Sequence, residues 1–134
     1  MEIEIQSPRL VKDGRGLVCE PIASGELSAQ RNAHVVITRP GGVRGNHYHE
    51  YATEIMTVIG PALVRVRDDR GIRDYPVAEG QAQLFKLPPR VAHAILNTGT
   101  ATGVIVSFSS MLHDPLRPDV VREVLIEPAL TGES

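Results

Sequence analysis

Tryptophan is missing from this sequence, and three tyrosines and two phenylalanines are its only large aromatics, 4% of 134 residues. A core of stacked rings is thereby excluded, and packing must come from aliphatic side chains. Cysteine occurs once, at Cys19, so no internal disulfide can form. No nearby pattern suggests a thiolate, and Cys19 reads as a small buried residue. No apolar run nears the ~18 residues of a membrane span, and the start lacks the charged and apolar stretches of a secretion signal. The expectation is a soluble, cytoplasmic protein with no membrane partner. Excess charge is absent too: 14 Lys and Arg stand against 16 Asp and Glu, a net charge of -2, and the basic residues are scattered instead of forming a stripe. That argues against nucleic acid as a partner. The length suits one domain with one core.

What is plentiful is turn chemistry, with 12 glycines and 10 prolines. Short runs rich in Val and Ile alternate with Gly, Pro, Asn and Asp, the pattern of strands joined by tight turns. Strands are expected near Ala33 to Arg39, Gly45 to His49, Glu54 to Ile59, Leu63 to Arg67, Arg73 to Pro76, Gln83 to Leu87, Ala92 to Asn97 and Val104 to Ser109. Turn signals such as "RPGG", "DDRG", "LPPR" and "NTGT" separate them. In "LVRVRDD", Leu63, Arg65 and Arg67 face one way and Val64, Val66 and Asp68 the other, so one face of that strand is wet. No helical period runs through the middle of the chain, and there is no internal repeat. The fold class is all-β, a single-domain jelly-roll barrel, with an N-terminal strand region over 1–32, a barrel core over 33–112 and a C-terminal extension over 113–134. In that extension Pro118 and Asp119 could open a helix with Val120, Val121, Val124 and Leu125 on one face, but the segment fits a strand equally. The closing "TGES" reads as a frayed tail.

The stretch "RGNHYHEYATEI", residues 44 to 55, carries two of the five histidines. On a strand His47 and His49 share a face and Tyr48 takes the other. Glu54 follows across a short bend and can return on the neighbouring strand. Two imidazoles and a carboxylate form a mixed N/O set suited to a divalent transition metal. Burying them together is costly unless an ion compensates their charge and lone pairs; an exposed polar face is the alternative. His93 opens another strand after the proline-marked turn "LPPR" and is a fourth candidate ligand. His34 and His113, isolated, read as surface or hydrogen-bonded histidines.

This arrangement resembles the cupin superfamily. Its first motif is matched by Gly41, His47, His49, Glu54 and Gly60, with five residues instead of six before the last glycine. Its second is matched by Pro88, His93 and Asn97, with Arg90 where the family has glycine and Gly80 two positions early. "VKDGRGLVCE" and "GGVRGNHYHE" are similar to the opening of the dTDP-4-dehydrorhamnose 3,5-epimerase type of sugar epimerase. The span from Arg44 to "HDPLRPD" is similar to the C-terminal cupin domain of the capsular-polysaccharide enzymes that make UDP-N-acetyl-L-fucosamine. Those enzymes also carry a reductase half, and the resemblance here is to their cupin domain alone.

The resemblance implies a nucleotide-sugar epimerase or ketoisomerase that moves a proton beside a 4-keto group, in surface-polysaccharide or deoxysugar biosynthesis. The implied metal ligands are His47, His49, Glu54 and His93, holding a divalent transition ion, zinc first and iron, manganese or nickel as alternatives. In the rhamnose-type epimerases the RGxH histidine is the base, which gives His47 a second, competing role. An imidazole whose lone pair holds an ion cannot also accept a proton. Tyr51 and Tyr75 are then the candidate proton carriers, with plain packing as the alternative for each. For the diphosphate of a nucleotide sugar the candidate cations are Arg44, by resemblance, and Arg65, Arg67 and Lys86, which could instead belong to a solvated face. Gly41 and Gly45 serve backbone geometry. Two other functions remain open: a non-haem metal-dependent dioxygenase and a non-catalytic sugar-binding cupin. By resemblance the protein is expected to be a homodimer.

Overall fold

The structure is a computed structural model describing residues 1–129, so the "TGES" tail lies outside the described residues. Strand β1 (Glu4–Gln6) is followed by β2 (Leu10–Asp13), β3 (Gly16–Cys19) and a single helical turn, α1 (Ser24–Leu27). The chain continues through β4 (Asn32–Thr38), β5 (Val43–His49), β6 (Glu54–Ile59), β7 (Ala62–Asp68) and β8 (Gly71–Val77). Four further strands complete it: β9 (Ala82–Leu87), β10 (Ala92–Asn97), β11 (Gly103–Ser109) and β12 (Val120–Arg122).

Two five-stranded antiparallel sheets face each other. One has the order β1-β9-β6-β11-β4 and the other β12-β5-β10-β7-β8, while β2 and β3 form a separate hairpin. Alternating chemistry decides which faces meet. On β7 Val64, Val66 and Asp68 are buried while Leu63, Arg65 and Arg67 are half-exposed. Asp68 is tolerated inside because it accepts the Ile3 N–H at 3.0 Å and the Arg70 N–H at 2.9 Å. Between the sheets Met56, Val58, Val64, Val66, Phe85, Leu87, Ile95 and Ile105 form the main core. With so few aromatics, each of these side chains contributes about 1.5–3 kcal/mol by leaving water. A smaller cluster of Ile22, Ile55 and Leu84 covers the outer face of the first sheet, and Phe108 packs on it.

The ambiguous C-terminal segment resolves as a strand: β12 pairs with β5, Val120 opposite His49 and Arg122 opposite His47. Cys19, expected to be buried, is half-exposed, and the partial burial pushes its thiol up from the ordinary value. His34 and His113 are exposed, as expected.

Candidate metal centre

The two strands that carry most of the site meet at an irregularity. His47 pairs with His93, yet Gly45 pairs with Ala94, so Asn46 is an extra residue bulged out of β5. Gly45 (φ 82) and Asn46 (φ 54) both adopt the left-handed region. A Cβ on Gly45 would stand 2.6 Å from the His93 carbonyl oxygen, so this close approach needs glycine. The bulge has a functional consequence. Simple alternation would set Arg44 and His47 on opposite faces, but the shifted register pairs Arg44 with the inward-facing Ile95, returning both to the inner face.

Along that inner face the chain gathers its titratable groups. One ligand atom from each of His47, His49, Glu54 and His93 lies within 4.8 Å of the other three. Glu54 Oε1 is 3.0 Å from His49 Nε2 and 3.3 Å from His93 Nε2. Neither approach is aligned as a hydrogen bond, and Oε1 is a buried oxygen with no hydrogen-bond partner among the described residues. Its sister Oε2 accepts the Ser107 hydroxyl at 2.5 Å. The His47 ring centroid is 4.9 Å from that of His93 and 5.2 Å from that of His49. Three imidazole nitrogens and one carboxylate oxygen thus lie together without satisfying one another, and an ion would complete them.

The electrostatics follow from that crowding. Burial, and then the charge of His93, lower the His47 pKa to about 4, so its imidazole is neutral at pH 7 with a lone pair to offer. Burial by itself would raise the Glu54 pKa; the adjacent His93 and His49 rings outweigh that and hold the carboxyl well below the usual range. His49 is likewise penalised by burial, but Glu54 and Asp119 together push its pKa up. Each imidazole has different backing. His49 Nδ1 lies 3.2 Å from Asp119 Oδ2, and His93 Nδ1 lies 3.2 Å from the Val91 carbonyl.

The structure brings the four expected ligands together. It does not bring all the other expected site residues to them. Arg65 lies on the outer face of its sheet, forked onto Asp74 at 2.7 and 3.0 Å. Arg67 on the same face forks onto Glu123 at 2.8 Å, with its guanidinium 5.8 Å from the Tyr48 ring centre. Lys86 also points outward and pairs with Glu26 at 3.1 Å. The reason is strand parity: Ala94, opposite Arg65, and Ile55, opposite Lys86, turn away from the interior. Tyr75 packs into the apolar core with its ring 6.0 Å from Phe85, and β7 separates its strand from β10. Tyr51 sits on the turn after β5, 70% exposed. Arg44 alone of the expected cations faces inward, donating to the Ile37 carbonyl at 2.7 Å and to Thr38 Oγ1 at 3.3 Å across the gap between β5 and β4.

Three residues escaped the sequence reading. Ser107 touches Glu54 and Asp119 touches His49, and His34, opposite Ser107 on β4, shares the inner face with it. The "DPLRPD" similarity was a signal for Asp119, but nothing local distinguishes Ser107 from other strand serines. His34 gave only an isolated histidine.

A cupin-type jelly roll with a three-histidine, one-glutamate cluster that could hold a metal is the class this geometry defines. Residues 11–121 match the family described as Polysaccharide biosynthesis C-terminal domain, and the chain belongs to that family. Among solved structures it is similar to the capsular polysaccharide assembling protein CapF of Staphylococcus aureus, at 25% identity and TM-score 0.65 over 90% of this chain and 33% of CapF. QdtA, a sugar 3,4-ketoisomerase from Thermoanaerobacterium thermosaccharolyticum solved with TDP, shares the fold at TM-score 0.67 and 13% identity, covering 90% of this chain and 88% of that one. A curated relative, 3-hydroxyanthranilate 3,4-dioxygenase of Xanthomonas oryzae pv. oryzae, is 23% identical over 78% of this chain and 58% of its own length. The chain therefore spans a third of CapF and little more than half of the dioxygenase.

Proposed function

We propose that this protein is a metal-holding nucleotide-sugar epimerase or ketoisomerase, shifting a proton beside a sugar ketone. One observation carries the reading: Glu54 Oε1 and the imidazoles of His47, His49 and His93 converge inside the barrel and leave a buried oxygen with no hydrogen-bond partner among the described residues. Membership of a polysaccharide-biosynthesis family, and likeness to CapF and to a ketoisomerase that takes TDP, support a sugar-nucleotide substrate.

A divalent ion in this donor set would polarise a keto oxygen and ease loss of the neighbouring proton. The chain's own residues must do the rest. Epimerisation breaks a C–H bond at the carbon next to the ketone, passes the proton to a base, and returns a proton to the opposite face, with no net oxidation. His47, committed with the cluster, is a ligand in this reading and not that base. With Tyr75 in the core and Tyr51 turned outward, His34 is the candidate proton carrier: it faces inward on β4 beside Ser107, whose hydroxyl reaches Glu54. Paired residues on neighbouring strands hold their Cβ atoms about 5 Å apart, which keeps His34 close to the cluster while still exposed to an incoming substrate. Arg44, facing the gap between β5 and β4, is the candidate contact for a diphosphate. A homodimer fits this reading: β4 is an open sheet edge bearing the exposed apolar Val35 and Ile37.

The curated relatives favour a second reading, a non-haem dioxygenase using the same His and Glu donors. One experiment separates the two. The metal-loaded protein is incubated in D₂O with a dTDP-4-keto-6-deoxy sugar or with 3-hydroxyanthranilate, following deuterium at the sugar carbons by NMR and oxygen by electrode. Deuterium uptake without oxygen consumption is the expected result. Oxygen uptake with 3-hydroxyanthranilate and no exchange on the sugar would establish the dioxygenase reading instead.

A further inference from the structure

The "HDPLRPD" stretch and β12, which pairs along the free edge of β5, form a strap beside the site. Asp119 is its point of contact with the site. Its side chain is only 16% exposed, and each of its oxygens is engaged. Oδ1 accepts the Tyr51 N–H at 2.8 Å; Oδ2 accepts the Ala52 N–H at 3.2 Å and lies 3.2 Å from His49 Nδ1; its carbonyl accepts the Glu50 N–H at 2.9 Å. His49 Nε2, at the far end of the ring, is the atom 3.0 Å from Glu54 Oε1.

A neutral imidazole carries one N–H, and a carboxylate can only accept. With Asp119 against Nδ1, the proton belongs at Nδ1 and the Nε2 lone pair is aimed at the convergence point of Glu54 and His93. The carboxylate also ties the ring to the backbone of the turn, so ring direction and tautomer are set together. We infer that Asp119 is a positioning residue that presents His49 Nε2 to a divalent transition ion, so that metal affinity depends on a carboxylate 70 positions along the chain from its histidine. This rests on the reading of the four-residue cluster as a metal site. The other imidazoles lack such support: His93 leans on a backbone carbonyl, and His47 has no hydrogen-bond partner among the described residues.

The full-length chain supplies the test, with zinc and cobalt(II) as probe ions. Asp119→Asn should bind zinc about 10- to 100-fold more weakly than wild type and alter the cobalt absorption bands. Glu123→Gln, which loosens the strap at its pair with Arg67 away from His49, should leave both unchanged. Equal losses in the two variants would mean that the strap acts only as a brace and would overturn the assignment. So would unchanged affinity and spectra in Asp119→Asn. If Asp119→Asn does not fold, long-range ¹H–¹⁵N spectra of zinc-loaded wild type decide the matter: His49 protonated at Nδ1 with the ion on Nε2 is expected, and the reverse overturns the proposal. A wild type that takes up neither ion would instead remove the metal reading beneath it.

Discussion

The chain has two flanking regions that look alike on paper, and the fold treats them in opposite ways. The N-terminal hairpin of β2 and β3 stands apart as its own two-stranded sheet, with Val11 62% and Val18 74% exposed. The C-terminal strap, equally short and equally valine-bearing, is bonded into the barrel wall. β12 adds to β5, Glu123 forks onto Arg67, and Leu125 and Ile126 are held by Asn46. The difference lies in polar partners, not in hydrophobic content. Asn46 is fully buried and spends its side chain on the strap: Oδ1 accepts the Leu125 and Ile126 N–H groups at 2.9 and 3.1 Å, and Nδ2 donates to the Ile126 carbonyl at 2.9 Å. The bulge that displaces Asn46 from the ladder therefore does two things, restoring the inward face for Arg44 and docking the strap beside the site.

The largest effect is expected where this contrast is anchored. Gly45→Ala would force a Cβ into the His93 carbonyl at a left-handed backbone position, costing about 3 kcal/mol or more; the thermal midpoint should fall sharply, and zinc binding with it. Asn46→Ala leaves three backbone groups of the strap without partners and should cost about 2–4 kcal/mol in chemical denaturation. A smaller and pH-dependent effect concerns the pair of Arg67 and Glu123. Hydrogen bonding from Arg67 lowers the Glu123 pKa from 4.5. The pair's contribution is therefore complete above about pH 4.5 and is lost as pH falls through the lower folded value. Glu123→Gln should flatten that part of the stability curve, and identical curves would show the pair to be idle. Smallest should be Val18→Thr in the hairpin, within about 0.5 kcal/mol for the single chain. A larger loss, falling with dilution, would mean that a second copy covers the hairpin and that its isolation is only apparent.

How much of this was legible in the sequence follows the same division. Glu54–Ile59 and Ala92–Asn97 have the bounds that alternation and turn residues predict, β4 begins and ends one residue earlier than expected, and the other barrel strands extend the expectations by one to three residues. Local chemistry determines them. The three-residue β1 and β12 are made by their partners, β9 and β5, and Val120, Val121, Val124 and Leu125 suit a helix as well as a strand. The clustering of His47, His49, Glu54 and His93 was visible because HxH spacing on a strand fixes a shared face. Arg65 and Lys86 misled because charge without strand parity says nothing of direction; their outward ion pairs depend on Asp74 and Glu26 across the fold. Arg90 had been a departure from the family's glycine. It adopts φ 68, the conformation glycine favours, and its N–H reaches the His49 carbonyl at 2.7 Å. Arg90→Gly should accordingly fold as well as wild type, with its lost pair to Glu50 offset by relief of about 1 kcal/mol of backbone cost.

The central claim is that four side chains from three strands grip one ion. Metal analysis of the purified protein by mass spectrometry, beside His49→Ala with its fold checked by circular dichroism, tests it most directly. One divalent ion per wild-type chain, and a folded variant that has lost it, is the predicted result. A folded wild type that stays metal-free when offered zinc, iron, manganese and nickel would contradict it.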